Sequence, residues 1–399
     1  MSTDHEALDD RLREELARIG SADVIVGIPS FRNAATIGHV AATAARGLRE
    51  HFADARVAVV NADGGSEDGT PDRAAEAAKD VPVAVGRYRG PSGKGSAFRA
   101  IFTAVDVLGA RACAVVDSDL RSITPEWIAR LLRPVTGGEV DYVAPLYARH
   151  KHDGTITNSV AYPLTRALYG LRVRQPIGGE FGFSAALART YLAKPVWDTD
   201  VARFGIDIFM TTTAIASGAR LAQAFLGAKV HDPKDPAADL GPMFTQVVGT
   251  LFRLAAENED VWARVDGSRN VPVIGEPMPV EPEAIPADPA KLKAKYDATA
   301  DEQRSVWREV LSSPVPDALE PDAWARIVFD FLAAALQRPA ESQRLARALL
   351  PLYYLRVASF IDEVREMTTT QSEDVVELQA RAMEEEKLQF DQRRVGARR

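Results

Sequence analysis

Short apolar runs alternate with amphipathic segments over the first half of the chain. Runs rich in β-branched residues are typical of strands covered on both faces, and apolar positions at helical spacing predict helices between them. The predicted strands are 23–29, 56–61, 81–85, 112–116, 142–147 and 220–226, and the predicted helices are 4–19, 35–50, 71–79, 96–108, 160–169 and 205–217. This alternation predicts an α/β fold with a doubly wound, mostly parallel sheet and ligand loops at the carboxyl ends of its strands.

The alternation becomes irregular after residue 142, where 176–183 is predicted to be a glycine-rich turn. Six prolines among acidic residues in 272–289 predict an extended connecting segment. Apolar residues at helical spacing then predict helices over 324–336 and 345–364. We therefore expect three parts: a ligand-binding domain (1–240), a proline-rich connection (241–290) and a helical C-terminal region (291–399).

Composition narrows the class of protein. The 399 residues are 46% hydrophobic and carry a formal net charge of −8, which argues against a protein that binds nucleic acid by neutralising its phosphates. Cys113 is the only cysteine, so an internal disulfide and a cysteine-rich zinc site are excluded. The N-terminus lacks the apolar core of a signal peptide, and the apolar run 240–252 is too short to span a bilayer. We expect a cytoplasmic protein without a membrane span.

Four polar motifs follow predicted strands or precede a helix, and each could also be a solvent-exposed turn that binds no ligand. The Asp-x-Asp motif suits a hard divalent cation that bridges a diphosphate, but a solvated acidic turn looks the same. The lysine between two glycines can hold a phosphate at a helix N-terminus through backbone N–H groups and its charge, or it can lie in a plain turn. It is not a P-loop, since the first glycine of that motif would fall at Tyr88. The motifs are Gly27–Asn33, the loop after Asp63, Gly93-Lys94-Gly95 and Asp117-Ser118-Asp119.

In order, spacing and context these motifs resemble nucleotide-sugar glycosyltransferases of the GT-A fold, over about 22–231. The resemblance implies that a proline-containing first loop lies under the base, that an aspartate in the second loop contacts the base, and that a lysine faces the diphosphate. It also implies that Asp119 holds Mg²⁺ or Mn²⁺. The implied donor-binding residues are Pro29, Ser30, Asn33, Asp63, Lys94, Asp117 and Ser118.

Three later segments, 174–183, 203–207 and 227–234, are most like those of the retaining enzymes that make glucosyl-3-phosphoglycerate, glucosylglycerate and mannosylglycerate. By this resemblance the acceptor is bound by Arg174, Gly178, Gly179 and Glu180, Asp207 is the catalytic acidic residue, and His231 is a second protein ligand of the cation. The chain departs from these relatives at Asn33, where they carry an acidic residue. The Gln-x-x-Arg-Trp signature of processive synthases is absent from the chain, which disfavours a polysaccharide synthase.

The resemblance implies a metal-dependent transferase that moves a hexose, with glucose favoured, from a nucleoside diphosphate to a small hydroxy acid such as D-glycerate or 3-phosphoglycerate, with retention. Three alternatives stay open: an inverting family-2-like enzyme with a lipid-phosphate or polysaccharide acceptor and Asp207 as base, a nucleotidyltransferase, and a nucleotide-sugar-binding protein without catalysis. The apolar face of 345–364 suits either the acceptor pocket or a homodimer.

Overall fold

The structure is a computed structural model that describes residues 5–230, 236–276 and 282–397 of the chain. The predicted metal ligand His231 lies outside the described residues, as do 277–281 of the proline-rich segment.

Strands and helices alternate through the first half of the chain, and helices dominate the second half. The strands are β1 Val24–Ser30, β2 Val57–Asp63, β3 Val83–Arg87, β4 Ala112–Val115, β5 Tyr142–Ala148, β6 Leu171–Arg172, β7 Phe181–Ser184, β8 Leu221–Ala228, β9 Arg269–Asn270 and β10 Val273–Ile274. The helices are α1 Asp10–Ile19, α2 Ile37–His51, α3 Thr70–Ala77, α4 Lys94–Val107, α5 Pro125–Thr136, α6 Tyr162–Tyr169, α7 Ala185–Leu192, α8 Ile206–Ala216, α9 Pro236–Glu257, α10 Glu259–Trp262, α11 Pro289–Val310, α12 Pro321–Gln337, α13 Ser342–Glu363 and α14 Thr369–Ala397.

The chain forms two compact units, each assembled from separated segments. Unit 1 contains 1–148, 178–233 and 272–280, and unit 2 contains 149–177, 234–271 and 281–399. The predicted parts 1–240, 241–290 and 291–399 follow the chain, whereas the units collect segments that are far apart in sequence. As functional domains, the three parts stay a prediction.

Among the described residues, unit 1 holds an eight-stranded sheet in the order β10-β8-β5-β7-β4-β1-β2-β3. All neighbours are parallel except β7, which runs antiparallel to both β4 and β5. The predicted α/β fold with a mostly parallel sheet is therefore confirmed.

Every residue of β1 is buried, since the strand is covered on both faces. Val24, Val26 and Ile28 join an apolar cluster with residues of α2 and α5. On the opposite face, Gly27 lies so close to Ile101 of α4 that a Cβ would come within 2.4 Å of that side chain. This two-sided burial explains the nearly continuous apolar run in the sequence.

The parallel register brings three loops to one edge of the sheet. Ser30 at the end of β1 pairs with Asp63 at the end of β2, and Gly27 pairs with Val115 at the end of β4. The loops that follow these strands contain most of the polar residues singled out in the sequence. The fold therefore places them where ligands bind in sheets of this kind.

The predicted glycine-rich turn over 176–183 is wrong at its end, because β7 begins at Phe181. Gly182 lies in this strand, and a Cβ there would fall 2.0 Å from the carbonyl oxygen of Leu131 in α5. The glycine allows a close approach of helix and strand rather than a turn. Within the predicted connecting segment, β10 also pairs with β8 and extends the sheet.

Unit 2 is mainly helical, and most of the apolar residues of α13 are buried within it. Phe244 in α9 stacks on Tyr353 in α13 with ring centroids 4.3 Å apart, and both side chains are buried. Leu345, Leu349 and Leu352 of α13 are also buried within the chain, so they give no support to the predicted homodimer, which stays a prediction. Within the described part of the chain, no helix is long and apolar enough to cross a membrane.

Candidate active site

The carboxylate of Asp63 fixes the loop after β2, and it is almost completely buried. Its Oδ2 accepts hydrogen bonds from the hydroxyls of Ser30 at 2.7 Å and Ser66 at 2.9 Å. Its Oδ1 accepts from the backbone N–H groups of Gly65 at 2.8 Å and Ser66 at 2.6 Å. Gly65 has a φ of 89°, which glycine adopts without strain. We call residues 63–66 the Asp63 loop.

Asn33 links the first loop to the Asp-Ser-Asp motif. Its Oδ1 accepts from the Ser118 hydroxyl at 2.7 Å and from the backbone N–H of Phe31 at 3.0 Å. The Thr36 hydroxyl donates to the carbonyl of Ser118 at 2.8 Å. Pro29 is buried in β1, directly before Ser30. The structure thus brings the predicted base-side residues together, although their contact with a nucleotide stays a prediction.

Lys94 begins α4, and the glycines on either side of it serve close packing. A Cβ on Gly95 would lie 1.7 Å from the carbonyl oxygen of Val201. The N–H of Gly95 donates to the carbonyl of Arg203 at 3.2 Å, and that of Gly93 donates to the Tyr88 hydroxyl at 3.0 Å. The N–H groups of both glycines therefore have protein partners in this structure, and the ammonium group of Lys94 is the part of the motif that faces the site, with phosphate binding still a prediction.

The ammonium group of Lys94 lies between two carboxylates. It is 2.8 Å from Oδ1 of Asp117 and 3.3 Å from Oδ1 of Asp207. Burial alone lowers the pKa of Lys94, but attraction to Asp117, Asp207 and Glu180 outweighs it and raises the pKa well above its usual range. Lys94 is consequently a permanent positive charge in this site.

Asp207 is in the first turn of α8, where the helix dipole favours a negative charge. Its side chain is buried. Its Oδ2 accepts a hydrogen bond from Lys94 at 3.4 Å, whereas among the described residues Oδ1 has only the ion-pair contact with Lys94 at 3.3 Å and no hydrogen bond. Burial raises the pKa of Asp207, while the neighbouring Lys94 lowers it and Asp117 raises it further. A buried, incompletely bonded oxygen at this position can accept a hydrogen bond from a ligand hydroxyl.

Lys229 at the end of β8 is a site residue that the sequence analysis missed. Its ammonium group is 2.9 Å from both carboxylate oxygens of Glu180, 2.9 Å from the carbonyl of Gly178 and 3.4 Å from Oδ2 of Asp117. The hydroxyl of Tyr147 also donates to Glu180. A usable signal was present, because Lys229 lies three residues after the predicted strand 220–226, in the loop at the carboxyl end of that strand.

Glu180 is completely buried. Burial raises the pKa of Glu180 to about 7, against the attraction of Lys229. Gly179 beside it has a φ of 100°, and a Cβ at that position would lie 2.6 Å from Oδ2 of Asp117. Gly178, Gly179 and Glu180, which we call the acceptor loop after their predicted role, thus lie against the Asp-Ser-Asp motif.

The donor set fits a divalent cation. The carboxylate of Asp119 makes no hydrogen bond or ion pair with any residue that the structure describes. Two ammonium groups, of Lys94 and Lys229, face the carboxylates of Asp117, Asp207 and Glu180. Across 5–230, 236–276 and 282–397, no three His, Cys, Asp or Glu side chains are grouped to hold a metal. Magnesium-type sites commonly use one or two carboxylates with substrate phosphates.

The chain leading to His231 lies beside the Asp-Ser-Asp motif. Val230 accepts a hydrogen bond from the N–H of Arg121 at 2.9 Å, and its own N–H donates to the Ser122 hydroxyl at 3.0 Å. These partners follow Asp119 by only a few residues. Because His231 lies outside the described residues, a cation shared by Asp119 and His231 stays a prediction.

The structure places the predicted acceptor residue Arg174 in unit 2 rather than with the acceptor loop in unit 1. Its guanidinium forms two hydrogen bonds of 2.9 Å with the carboxylate of Glu373, and it donates to Oδ1 of Asn158 at 2.9 Å. These contacts do not involve an acceptor, so the binding of the acceptor by Arg174 stays a prediction.

The sequence profile of glycosyl transferase family 2 matches residues 25–194. This chain carries a glycosyl transferase family 2 domain. The matched range of the domain spans β1 to β7 and includes Asp63, Lys94, Asp117, Asp119 and Glu180. The predicted enzyme class, a glycosyltransferase, is confirmed by this match.

No curated protein matches this glycosyltransferase significantly. Among solved structures, glucosyl-3-phosphoglycerate synthase from Mycobacterium tuberculosis with Mn²⁺, UDP and glucosyl-3-phosphoglycerate is 26% identical, with 61% of this chain and 83% of that chain covered and a TM-score of 0.48. The same enzyme with phosphoglyceric acid is 25% identical, with 62% and 84% covered and a TM-score of 0.47. A mycobacterial protein is 26% identical, with 61% and 78% covered and a TM-score of 0.45.

Proposed function

We propose that this glycosyltransferase is a metal-dependent hexosyltransferase that moves glucose from a nucleoside diphosphate to a small hydroxy acid such as D-glycerate or 3-phosphoglycerate, with retention. The observation that carries the proposal is the position of Lys94 between Asp117 and Asp207, at the sheet edge that also presents Asp119. This arrangement suits a sugar bonded to a diphosphate, because positive charge and carboxylates alternate over a short distance.

On the donor side, Lys94 would exchange part of its attraction to Asp117 for the diphosphate of the donor. Asp119 and His231 would hold Mg²⁺ or Mn²⁺, which when bound neutralises the charge that develops on the leaving diphosphate. The Asp63 loop and Asn33 would set the position of the base. Because the carboxylate of Asp63 is fully engaged, the base pocket is rigid before a nucleotide arrives.

Asp207 would orient a hydroxyl of the transferred sugar. In a front-face retaining reaction no protein nucleophile is required, and the resemblance of the segments around Glu180, Asp207 and His231 to retaining enzymes supports this course. In an inverting reaction, Asp207 would instead take the proton of the acceptor hydroxyl. The anomeric configuration of the product distinguishes the two roles.

We assign binding of the acceptor to the acceptor loop. The backbone groups of Gly178 and Gly179 would meet the hydroxy acid, with Arg174 as the proposed partner of its carboxylate or phosphate. Arg174 would then give up part of its pairing with Glu373, which is half exposed.

The deciding experiment measures release of nucleoside diphosphate from UDP- and GDP-sugars, with Mg²⁺, Mn²⁺ or EDTA, and with or without D-glycerate or 3-phosphoglycerate. Metal-dependent release that requires one of these acids is the expected result, and proton NMR of the product then gives its anomeric configuration. A parallel incubation with a nucleoside triphosphate and a hexose 1-phosphate, if it released pyrophosphate and formed a nucleotide-sugar, would instead identify a nucleotidyltransferase. In a parallel incubation with a polyprenyl phosphate as acceptor, release that requires this lipid, with an inverted product, would establish the alternative acceptor class. No release from any donor would contradict the proposal.

A further inference from the structure

One ammonium group, that of Lys229, contacts both sides of the candidate site. It lies 2.9 Å from the carbonyl of Gly178 in the acceptor loop and 3.4 Å from Oδ2 of Asp117 in the Asp-Ser-Asp motif. The other oxygen of Asp117 is 2.8 Å from Lys94. The two lysines therefore hold the Asp117 carboxylate from opposite sides.

Lys229 itself is anchored by buried groups. Both oxygens of Glu180 lie 2.9 Å from its ammonium group, and the Tyr147 hydroxyl donates to the same carboxylate. Tyr147 is held in turn by its ring contact with Trp127, with centroids 5.3 Å apart. An ammonium group has three donors, and here Glu180, Gly178 and Asp117 supply its acceptors.

The lack of a side chain at Gly179 belongs to the same arrangement. A Cβ there would come within 2.6 Å of Oδ2 of Asp117 and 3.0 Å of the Lys229 ammonium group. The acceptor loop can approach the Asp-Ser-Asp motif this closely only with glycine at this position. The close approach at Gly179 and the contact of the Lys229 ammonium group with Gly178 together fix the position of the acceptor loop against Asp117.

We propose that Lys229 is a positioning residue that sets the acceptor loop against Asp117, so that donor and acceptor sides share one anchor. The proposal rests on the proposed function for the roles of Asp117 and the loop. It goes further, because it makes Lys229, anchored by Glu180 and Tyr147, determine the spacing between the two substrates. A buried ion pair is by itself weak evidence for stability, and the contacts with Gly178 and Asp117 are what a merely stabilising pair would not need.

The test uses a double variant, Lys229→Met with Glu180→Gln. Lys229→Met alone leaves a buried carboxylate without its counter-ion and is expected to destabilise the protein, whereas the double variant removes both charges. Lys79→Met with Glu76→Gln removes an exposed ion pair in the same way and is the matched control. Tyr147→Phe removes only the hydroxyl that donates to Glu180, and Lys229→Arg retains a cation.

Two measurements on the full chain separate positioning from stability. Amide hydrogen exchange of a peptide covering 177–182 should be at least tenfold faster in the double variant, with a Tm within a few degrees of wild type and no change in the control. In the double variant, the KM for donor and the KM for acceptor should both rise at least tenfold. Both KM values of Lys229→Arg should be closer to wild type than those of the double variant, and those of Tyr147→Phe should lie between wild type and the double variant.

Unchanged exchange at 177–182 in the folded double variant would overturn the proposal, with or without measurable turnover. So would a lower Tm accompanied by unchanged KM values for both substrates. Failure of the proposed function is a separate result, because it appears as absence of nucleoside-diphosphate release from the wild-type enzyme.

Discussion

The Asp63 loop and the lysine–carboxylate cluster lie at the same edge of the sheet but are stabilised differently. In the Asp63 loop one buried carboxylate accepts four hydrogen bonds, from two hydroxyls and two backbone N–H groups. In the cluster, Lys94 and Lys229 are shared among Asp117, Glu180 and Asp207. The first region has no unsatisfied charge to offer a ligand, whereas the second has carboxylates in excess.

This difference indicates two functions for buried carboxylates in one site. Hydrogen bonds from neutral, short side chains and from the backbone fix a loop, because each donor has little freedom to move. Ion pairs between long lysines and several carboxylates can exchange partners when a diphosphate and a cation bind. We expect substitutions in the cluster to act on turnover and substrate binding, and substitutions in the Asp63 loop to act on stability.

Asp119→Ala should give the largest effect. It removes a carboxylate that has no hydrogen-bond or ion-pair partner among the described residues, and loss of one electrostatic contact to a developing charge typically lowers kcat on the order of 10²–10³-fold. The measurement is the rate of nucleoside-diphosphate release against Mn²⁺ concentration. Asp80→Ala, which removes an exposed partner of Arg49, is the control. Full metal-stimulated turnover in Asp119→Ala would show that the cation is held elsewhere.

Lys94→Met should raise the KM for the donor by about tenfold to a hundredfold, because a hydrogen bond to a charged group contributes about 1.5–3 kcal/mol. Steady-state kinetics with varied donor and saturating acceptor measure the effect. Lys79→Met, at an exposed lysine, should leave the donor KM unchanged. An equal change in the KM of donor and acceptor would contradict a role for Lys94 confined to the diphosphate.

Gly95→Ala tests whether the cluster depends on the close approach of the backbone. A Cβ 1.7 Å from the Val201 carbonyl forces the chain to shift, and we expect a loss of about 1–3 kcal/mol in the free energy of unfolding. Urea unfolding measures it. Gly38, in α2, is the control, because a Cβ there would lie 4.0 Å from the side chain of Ala77. Gly38→Ala should be neutral or stabilising by up to about 1 kcal/mol. Equal stability of the two variants would refute the packing argument.

Ser66→Ala should have the smallest effect. It removes one of the hydroxyl donors to Asp63 and the acceptor of the exposed Arg32 N–H, and it keeps the backbone donors to Asp63, so we expect the free energy of unfolding to fall by about 1 kcal/mol, with little change in turnover. Urea unfolding and nucleoside-diphosphate release are measured on the same preparation. A large loss of turnover at unchanged stability would reverse the contrast between the two regions.

Most of the sheet edge could be predicted from the sequence, because the pattern of apolar runs identifies strands and parallel strands share a carboxyl end. Ser30 contacts Asp63 at the ends of β1 and β2, and Lys94 contacts Asp117 in the loop after β4, as that rule implies. The contact of Lys229 with Glu180 could not be predicted from periodicity. It depends on β7, a strand that runs antiparallel within an otherwise parallel sheet and that a glycine-rich segment conceals.

By itself, the sequence determined the α/β class, the strands β1 to β5 and β8, and the edge at which the polar residues collect, since a strand buried on both faces leaves a local apolar run and the alternation of strands with helices implies a parallel order. The tertiary structure alone decided which partners those residues have. It showed that Gly93 and Gly95 serve packing against 201–203, that Lys229 connects the acceptor loop with Asp117, and that Arg174 belongs to unit 2. These facts arise from contacts between residues far apart in the chain, and hydrophobic periodicity carries no information about such pairings.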